Sequence, residues 1–319
     1  MIKDTIQHFD LAIAYKWEFD ADLVYLIESI FQSGGLKTYI ITPENLSSVY
    51  ERIKRREINF TALLDRASDE DSAFEELPRI LFRQGTYVIN RYTDFVNKVI
   101  AKAPMHEILV KKGFDVPQTL IMKPFDKKSE VNIASAAIER LGQPFVVKPS
   151  YYSGAGEAVN LFAYSLNDIQ NTRLLYSDDH FLVQEKIYPK YLDGRRAWFR
   201  VFYLFGKIIP VWWDDITHIF TIMFPEEIKH YRLKRLHLTM RKLSKLVKLD
   251  YFSTEITLSE NNRFYLIDYV NEQCDFRFRS KFYDGAPEGI IIEFIYQMMA
   301  KVRGLQKNNP SSIVSRILR

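Results

Sequence analysis

The first 97 residues alternate between short apolar runs and segments whose apolar residues recur at helical spacing. A short apolar run predicts a buried strand, and an apolar face repeating every three to four residues predicts an amphipathic helix. Strands that alternate with helices favour a parallel sheet covered on both faces. The predicted strands are 11–14, 39–41, 60–64 and 87–89, and the predicted helices are 21–31, 43–53 and 74–82.

Polar residues follow the ends of these predicted strands. In parallel sheets, ligands bind beyond the carboxyl ends of the strands, so these side chains are candidates for substrate contact. Capping or solvation of a loop is the alternative for each of them. The residues concerned are Tyr15, Lys16, Trp17, Asp65, Arg66 and Asn90.

The pattern changes near residue 98, and we expect a small α+β lobe from there to residue 180. A helix that begins at Lys102 would end at Gly113, where the apolar periodicity stops. The stretch after Pro117 then reads as a strand. The predicted elements are helices at 102–113 and 131–141 and strands at 118–122, 145–147 and 161–163.

The remaining residues, 181–319, have the pattern of a sheet with covering helices. Residues 197–215 alternate strongly around Gly206 and Lys207, which predicts a β-hairpin. The basic stretch 226–249 reads as one amphipathic helix. A membrane-surface or nucleic-acid role is an alternative for it, but packing on a sheet is favoured. Further strands are predicted at 181–184, 252–258 and 263–270, and a last helix at 289–302.

Composition narrows the class of protein without naming a function. The chain has 319 residues, of which 47% are hydrophobic and 26% charged, enough for several lobes around a buried core. Its formal net charge of +4 is too weak to favour a nucleic-acid partner. The single cysteine, Cys274, excludes an intramolecular disulfide framework. Because no apolar run approaches membrane length and the N-terminal residues carry charges, we expect a cytoplasmic protein.

One apolar strand leads into a lysine and a small, polar, glycine-bearing loop, in the stretch PFVVKPSYYSGAGEAV. Lys148 ends the strand, and the loop at 150–157 contains Ser153, Gly154 and Gly156. Backbone N–H groups can close on a polyanion in such a loop because no bulky Cβ blocks the approach. A lysine at its base adds a point charge for phosphates. The alternative is a hairpin turn with an incidental lysine.

Two carboxylates face each other across the predicted hairpin of 252–270. Glu255 and Asp268 lie on its two strands, and Asn271 follows Asp268 by three residues. Two carboxylates and an amide oxygen suit Mg²⁺, which takes hard oxygen ligands and often phosphate oxygens as the others. An exposed acidic hairpin is the alternative. Asp268 lies in an apolar run, however, and a buried carboxylate needs a partner, which favours a cation site.

In order and spacing these motifs resemble the ATP-grasp superfamily, which includes carboxylate–amine and carboxylate–thiol ligases. The resemblance covers roughly residues 98–300. It implies a mixed α/β and α+β chain with a Rossmann-like pre-ATP-grasp domain at 1–97. A small ATP-grasp lobe with a phosphate loop would follow at 98–180, and a large lobe with a metal site at 181–319. It also implies an ADP-forming carbon–nitrogen ligase that uses ATP with Mg²⁺ or Mn²⁺.

The resemblance gives a role to individual residues of the nucleotide site. Lys102 and Lys148 match the two nucleotide lysines of the family, although the residue before the first, Ala101, is not acidic as it usually is. The backbone of 185–187 would bind the adenine edge. Asp193 would hold the ribose hydroxyls, with Glu185 as the alternative. The implied nucleotide-binding residues are Lys102, Lys148, Ser153, Gly154, Gly156, Gln184, Glu185, Lys186, Ile187 and Asp193.

Glu255, Asp268 and Asn271 match the metal ligands of the family. The family commonly places the asparagine two residues after the last acid, and here the spacing is three. Either the strand bulges, or Asn271 is not a ligand and Glu272 replaces it. The implied catalytic residues are Lys148, Arg200, which matches the phosphate-facing arginine, and Arg277 and Arg279, either of which would bind a substrate carboxylate or its phosphorylated form unless both are surface residues.

The implied reaction converts a small-molecule or peptide carboxylate to an acyl phosphate, which an amine or a thiol then attacks. Two other classes stay open, a kinase of the same architecture acting on a small-molecule hydroxyl and a non-catalytic ATP-binding module. The expected partners are the acid and the amine acceptor, without nucleic acid or membrane. A homodimer is an open alternative for the assembly.

Overall fold

A computed structural model describes residues 6–124, 135–151 and 158–307 of the chain. The strands β1 (Gln7–Tyr15), β2 (Thr38–Ile41), β3 (Ile58–Arg66) and β4 (Tyr87–Val88) form a parallel sheet in the order β2–β1–β3–β4. The helices α1 (Ala21–Ser33), α2 (Leu46–Lys54) and α3 (Glu76–Arg83) connect them. The predicted strand–helix alternation is therefore confirmed. The run Leu11–Ala14 of β1 is fully buried, as expected for the centre of a sheet covered on both faces.

Two consecutive helices, α4 (Asp94–Ile100) and α5 (Lys102–Lys111), lead out of this sheet. Thr93 caps α4, since its hydroxyl oxygen accepts a hydrogen bond from the Val96 N–H at 3.2 Å. The sequence pattern predicts α5 but not α4. The predicted domain limit at 97/98 lies inside α4.

The next sheet is antiparallel and is built from β5 (Thr119–Met122), β6 (Phe145–Pro149), β7 (Asn160–Ala163) and β8 (Phe181–Glu185). Its strand order is β5–β8–β6–β7, and α6 (Ser135–Glu139) and α7 (Leu166–Arg173) accompany it. The predicted limit at 180/181 assigns β8 to the large lobe. The pairing instead places β8 at the centre of this sheet, because its apolar residues Phe181 and Val183 pack into the same core as Phe145.

The largest sheet is also antiparallel, in the order β13–β12–β11–β14–β15. The predicted hairpin around Gly206 is confirmed, and Gly206 turns the chain with a φ of +108°. A small ribbon of β9 (Tyr191–Leu192) and β10 (Arg195–Arg196) precedes this sheet. The five strands of the large sheet are β11 (Trp198–Leu204), β12 (Lys207–Trp213), β13 (Phe220–Ile222), β14 (Tyr251–Leu258) and β15 (Phe264–Asn271).

The stretch 226–249, predicted as one helix, is two helices, so that prediction is wrong. The helix α8 (Pro225–His230) ends before α9 (Lys234–Val247) begins. Arg232, between them, has a φ of +57°, which breaks the right-handed helical path. The last helix, α10 (Glu288–Lys307), extends beyond its predicted end. Among the described residues, no helix has both the length and the apolar character needed to cross a membrane.

Alternate residues of β11 point into two different cores. Trp198, Phe202 and Leu204 pack with residues of α1 and α10, whereas Phe199 and Val201 pack with residues of α5 and α9. The first of these cores also contains Leu11 and Ile13 of β1. The N-terminal sheet and the large sheet therefore share one apolar core, which fixes the carboxyl ends of β1 and β3 relative to β14 and β15.

Candidate active site

Lys148 reaches the candidate site from the end of β6. Its side chain is 6% exposed, and its Nζ donates a hydrogen bond to the Ile267 carbonyl of β15 at 2.8 Å. Burial lowers the pKa of Lys148 to about 8, and the nearby Asp268 carboxylate opposes that shift. A lysine of the small-lobe sheet thus touches the strand that carries the predicted metal ligands.

The N-terminus of α5 brings Lys102 to the same place. The Lys102 N–H donates to the Ser150 carbonyl at 2.9 Å, and the Ala103 N–H donates to the Ser150 hydroxyl at 2.9 Å. Ser150 lies two residues after Lys148, so this cap brings the two lysines together. Lys102 Nζ lies 3.1 Å from Asp268 Oδ1. Burial would raise the pKa of Asp268, but the two lysines and Arg200 together hold it below its ordinary value.

The predicted carboxylate pair lies across the β14–β15 hairpin. Glu255 is paired directly with Asp268, and Ser253 is paired with Asn271. Two steps along β14 therefore oppose three steps along β15, which is a β-bulge. Because of the extra residue, Tyr269 and Val270 are both buried in the core while Asp268 reaches Lys102 and Asn271 stays on the site. The strand bulges, as one of the two sequence alternatives requires.

Arg200 connects the ligands on β14 and β15. It is paired with Glu255 across β11 and β14, and its Nη2 donates a short hydrogen bond to Glu255 Oε1. Its guanidinium stacks on the Trp213 ring, 4.5 Å from the centroid. With the Asn271 amide oriented to satisfy its neighbours, the Asn271 oxygen accepts from Arg200 Nη1 at 2.5 Å. Trp198 Nε1 donates to the other Glu255 oxygen at 3.1 Å.

Glu272, the alternative to Asn271, points to a different set of partners. Its Oε1 accepts from Asn90 Nδ2 at 3.1 Å, and its Oε2 accepts from the Tyr92 hydroxyl at 2.6 Å. Burial raises the pKa of Glu272 to about 7, although both hydrogen bonds lower it. The geometry therefore groups Asn271, and not Glu272, with Glu255.

Two of the strand-end residues are buried and held by side-chain hydrogen bonds. The Asn90 oxygen accepts from the N–H groups of Asp250 and Tyr251 at 2.7 and 3.2 Å, and its amide nitrogen donates to the Tyr251 carbonyl at 2.7 Å. Arg66 forms a bidentate pair with Asp20, at 2.7 and 2.8 Å, and both side chains are at most 4% exposed. We call Asp20, Arg66, Asn90, Tyr92 and Glu272 the interface cluster.

The predicted nucleotide-binding residues 184–187 lie at and just after the end of β8. Gln184 is 2% exposed, and its amide nitrogen donates to Thr119 at 2.8 Å and to Tyr269 at 2.9 Å. Glu185 accepts a hydrogen bond from the Gln118 N–H at 2.8 Å. Lys186 donates to the Leu161 carbonyl at 3.0 Å and covers the Phe162 ring. Ile187 follows them, after the end of β8.

Other predicted residues lie apart from this grouping. The Asp193 side chain is 74% exposed and accepts from the Tyr231 hydroxyl at 2.6 Å, beside the α8–α9 connection. Arg277 pairs with Asp275 and Asp284 at 2.7 and 2.9 Å, whereas Arg279 donates to the Phe220 carbonyl at 3.0 Å. Ser153, Gly154 and Gly156 lie outside the described residues.

The donor set fits a magnesium ion. Glu255, Asp268 and Asn271 offer only oxygen, in the number of carboxylates that Mg²⁺ commonly takes alongside waters and phosphates. In the described part of the chain, no group of three or more His, Cys, Asp or Glu side chains could hold a metal by itself. A metal held by these residues would need further oxygen ligands, which Mg²⁺ commonly takes from water and phosphate.

A buried chain of polar side chains lies beneath the site and was not predicted from the sequence. The Tyr269 hydroxyl lies 2.7 Å from His106 Nδ1, and both side chains are at most 6% exposed. Burial lowers the pKa of His106 to about 4, so the ring is neutral near pH 7. The only signal was Tyr269 inside an apolar run, since a buried tyrosine hydroxyl needs a partner.

Solved structures of similar shape cover nearly all of the chain. D-alanine–D-alanine ligase from Bacillus anthracis with ATP is 17% identical with a TM-score of 0.59, and the match covers 93% of this chain and 99% of that one. The ATP-grasp ligase PsnB with its precursor peptide and AMPPNP is 15% identical with a TM-score of 0.56, over 92% and 98%. The chain has the ATP-grasp fold.

A RimK domain ATP-grasp protein from Sphaerobacter thermophilus adds a further ATP-grasp match, at 16% identity and a TM-score of 0.57 over 90% and 98% of the two chains. No family model and no curated protein matches the sequence. At these identities the likeness establishes the fold, and the activity must be argued from the residues.

Proposed function

We propose that the protein is an ATP- and Mg²⁺-dependent ligase that activates a carboxylate as an acyl phosphate for attack by an amine, or by a thiol. The observation that carries this proposal is the meeting of Lys102 and Lys148 with Asp268 and its strand. Cations from the small-lobe side thus face oxygen ligands from the large sheet. This pairing of charges suits a metal–polyphosphate ligand lying between them.

Each charged group of the site has a part in such a reaction. Lys102 and Lys148 would neutralise phosphate oxygens, and Arg200 would stabilise the group being transferred. Glu255, Asp268 and Asn271 would hold the metal. Bound Mg²⁺ supplies charge neutralisation on the phosphates and fixes their orientation. We call Lys102, Lys148, Arg200, Glu255 and Asp268 the site cluster.

The nucleotide base would lie against the backbone of residues 185–187, beyond the end of β8. Gln184 supports this strand from beneath through its bonds to Thr119 and Tyr269. The ribose hydroxyls would be held by Asp193, which is exposed and accepts from the Tyr231 hydroxyl, or by Glu185, which accepts from the Gln118 N–H.

The acid substrate would lie beside Arg279. Arg277 is already neutralised by two carboxylates and stabilises its own loop. The Arg279 side chain donates to the Phe220 carbonyl and has Glu288 as a nearby carboxylate, and Phe220 packs on Trp213 beneath Arg200. The N-terminal parallel sheet would act as the Rossmann-like pre-ATP-grasp domain and line the same pocket.

The test begins with thermal stability in the presence of Mg²⁺ and AMPPNP. A ligand that binds only the folded state raises the unfolding midpoint by mass action. We expect a metal-dependent rise in the wild type that is lost in Lys148→Ala and retained in Lys190→Ala, which removes a half-buried lysine that bonds to Asn262.

A screen of acids with amines and thiols for phosphate release then separates the reaction classes. Free phosphate that depends on both substrates supports the ligase, and a phosphoryl group retained on an alcohol identifies a kinase. No rise in midpoint at millimolar nucleotide in the wild type contradicts the proposal.

A further inference from the structure

The Tyr269 hydroxyl joins three elements that carry parts of the candidate nucleotide site. Tyr269 follows Asp268 on β15, Gln184 lies at the end of β8, and His106 lies on α5. The hydroxyl is 2.9 Å from Gln184 Nε2 and 2.7 Å from His106 Nδ1. A single buried oxygen therefore contacts the strand next to the adenine-binding segment and the helix that presents Lys102.

The direction of each hydrogen bond follows from the donors available. The Gln184 amide nitrogen can only donate, so the oxygens of Tyr269 and Thr119 accept. The Tyr269 O–H then donates to Nδ1 of the neutral His106. Thr119 in turn donates to the Pro117 carbonyl at 2.8 Å. With the Gln184 amide and the His106 tautomer so oriented, each of these polar groups is satisfied, and the chain holds the three elements in one relative placement.

Two side chains of helix α5 contact two consecutive residues of β15. Lys102 and His106 are four residues apart, so they lie on one face of the helix. Lys102 contacts Asp268, and His106 contacts Tyr269. In a regular strand, consecutive side chains point to opposite faces. The β-bulge permits this arrangement, because it adds one residue between Asp268 and Asn271 and leaves Tyr269 in the core.

We propose that Tyr269 is a positioning residue that couples the adenine-binding end of the site to its metal–phosphate end. Its hydroxyl holds β8, α5 and β15 in one relative placement, so that binding at either end favours the placement that the other end needs. This inference rests on the proposed function and specifies how the nucleotide site is organised.

The test compares ligands that fill one end of the site with a ligand that fills both. Adenosine probes the base end, imidodiphosphate with Mg²⁺ probes the phosphate end, and AMPPNP with Mg²⁺ spans them. We expect Tyr269→Phe to weaken AMPPNP by about five- to tenfold, the value of one buried hydrogen bond. Adenosine and imidodiphosphate should each change by less than about twofold, because neither uses the coupling. Calorimetry measures all three affinities.

Tyr265→Phe is the matched control, since it removes a hydroxyl from the same strand outside this chain of hydrogen bonds. His106→Leu should reproduce the Tyr269→Phe pattern, and His106→Gln, which restores an acceptor, should recover most of the loss. If Tyr269→Phe folds poorly, His106→Leu and His106→Gln test the inference in its place.

Equal weakening of all three ligands in Tyr269→Phe and His106→Leu would show a general loosening and overturn the inference alone. Unchanged AMPPNP affinity in both variants would overturn it as well. Absence of AMPPNP binding to the wild type would overturn the proposed function, and this inference with it.

Discussion

The site cluster and the interface cluster both place buried charges around the β14–β15 hairpin, but they hold them differently. In the interface cluster, the Arg66 guanidinium grips Asp20 through two hydrogen bonds, and neither side chain is more than 4% exposed. In the site cluster, the Lys102 ammonium meets Asp268 at 3.1 Å, and these side chains are 14% and 25% exposed. The first pair is closed to solvent and the second is open to it.

This difference separates a charge pair that stabilises the fold from a charge pair that can bind a ligand. A bidentate guanidinium cannot leave its carboxylate without stranding a buried charge. A lysine ammonium is a point charge on a flexible stem and can turn from a carboxylate to a phosphate at small cost. Both clusters contain residues that the sequence makes candidates for ligand contact, so the number and burial of their contacts decide which of them can serve a ligand.

The largest expected effect concerns the Arg66–Asp20 pair of the interface cluster. Arg66→Met should lower the free energy of unfolding by about 3–5 kcal/mol, because it leaves the Asp20 carboxylate buried without its partner. Replacing both partners, as Asp20→Leu with Arg66→Met, should recover most of that loss. Urea unfolding measures both.

The control for this prediction is Arg55→Met, whose side chain is 67% exposed and pairs with Glu51 at 3.9 Å. It should change the free energy of unfolding by less than about 1 kcal/mol. A loss in Arg66→Met no larger than in Arg55→Met would show that the interface cluster is not supporting the fold.

The second-largest expected effect concerns the Lys102–Asp268 pair of the site cluster. Asp268→Asn should lower ligase turnover by about 10²–10³-fold, the usual cost of one preorganised electrostatic group. It should also abolish the Mg²⁺-dependent rise in midpoint with AMPPNP. The unfolding midpoint without ligand should also fall, but by less than in Arg66→Met, because Lys102 and Lys148 lose an attractive partner at a partly exposed pair. Asp115→Asn, which disturbs the exposed pair with Arg263, is the control. An intact metal-dependent rise in Asp268→Asn would remove this residue from the site.

The smallest expected effect is a pH dependence from the interface cluster. The pKa of Glu272 is raised from its ordinary value of 4.5 to about 7, mainly by burial. Between these values the folded protein keeps a proton that the unfolded chain releases, so stability is present below about 4.5 and is lost as the pH rises through 7.

Glu272→Gln cannot ionise and should flatten that part of the stability profile, an effect of about 3 kcal/mol. Urea unfolding from pH 4.5 to 8 measures it. Glu260→Gln, an exposed residue in the turn of the same hairpin, should leave the profile unchanged. A profile for Glu272→Gln parallel to the wild type would mean that Glu272 is ionised throughout.

The sequence by itself determined the parts that depend on neighbours along the chain. Period and turn residues predict the strand–helix alternation of the first 97 residues and the hairpin at Gly206. The step from Glu255 to Asp268 likewise predicts their direct pairing, because a hairpin turns a short sequence separation into contact. The helix break at Arg232 escaped this reasoning, since the apolar spacing continues through it.

Only the tertiary structure decided which distant side chains meet. Lys102 and Lys148 come together because Ser150 caps α5, and Asn271 joins Glu255 because β15 bulges. Arg66 and Asn90 follow strand ends as candidates for substrate contact, and buried hydrogen bonds to Asp20 and Asp250 occupy them instead. Periodicity reports which face of an element is apolar. It carries no information about which polar group lies opposite after the faces have packed, and that choice separates the site cluster from the interface cluster.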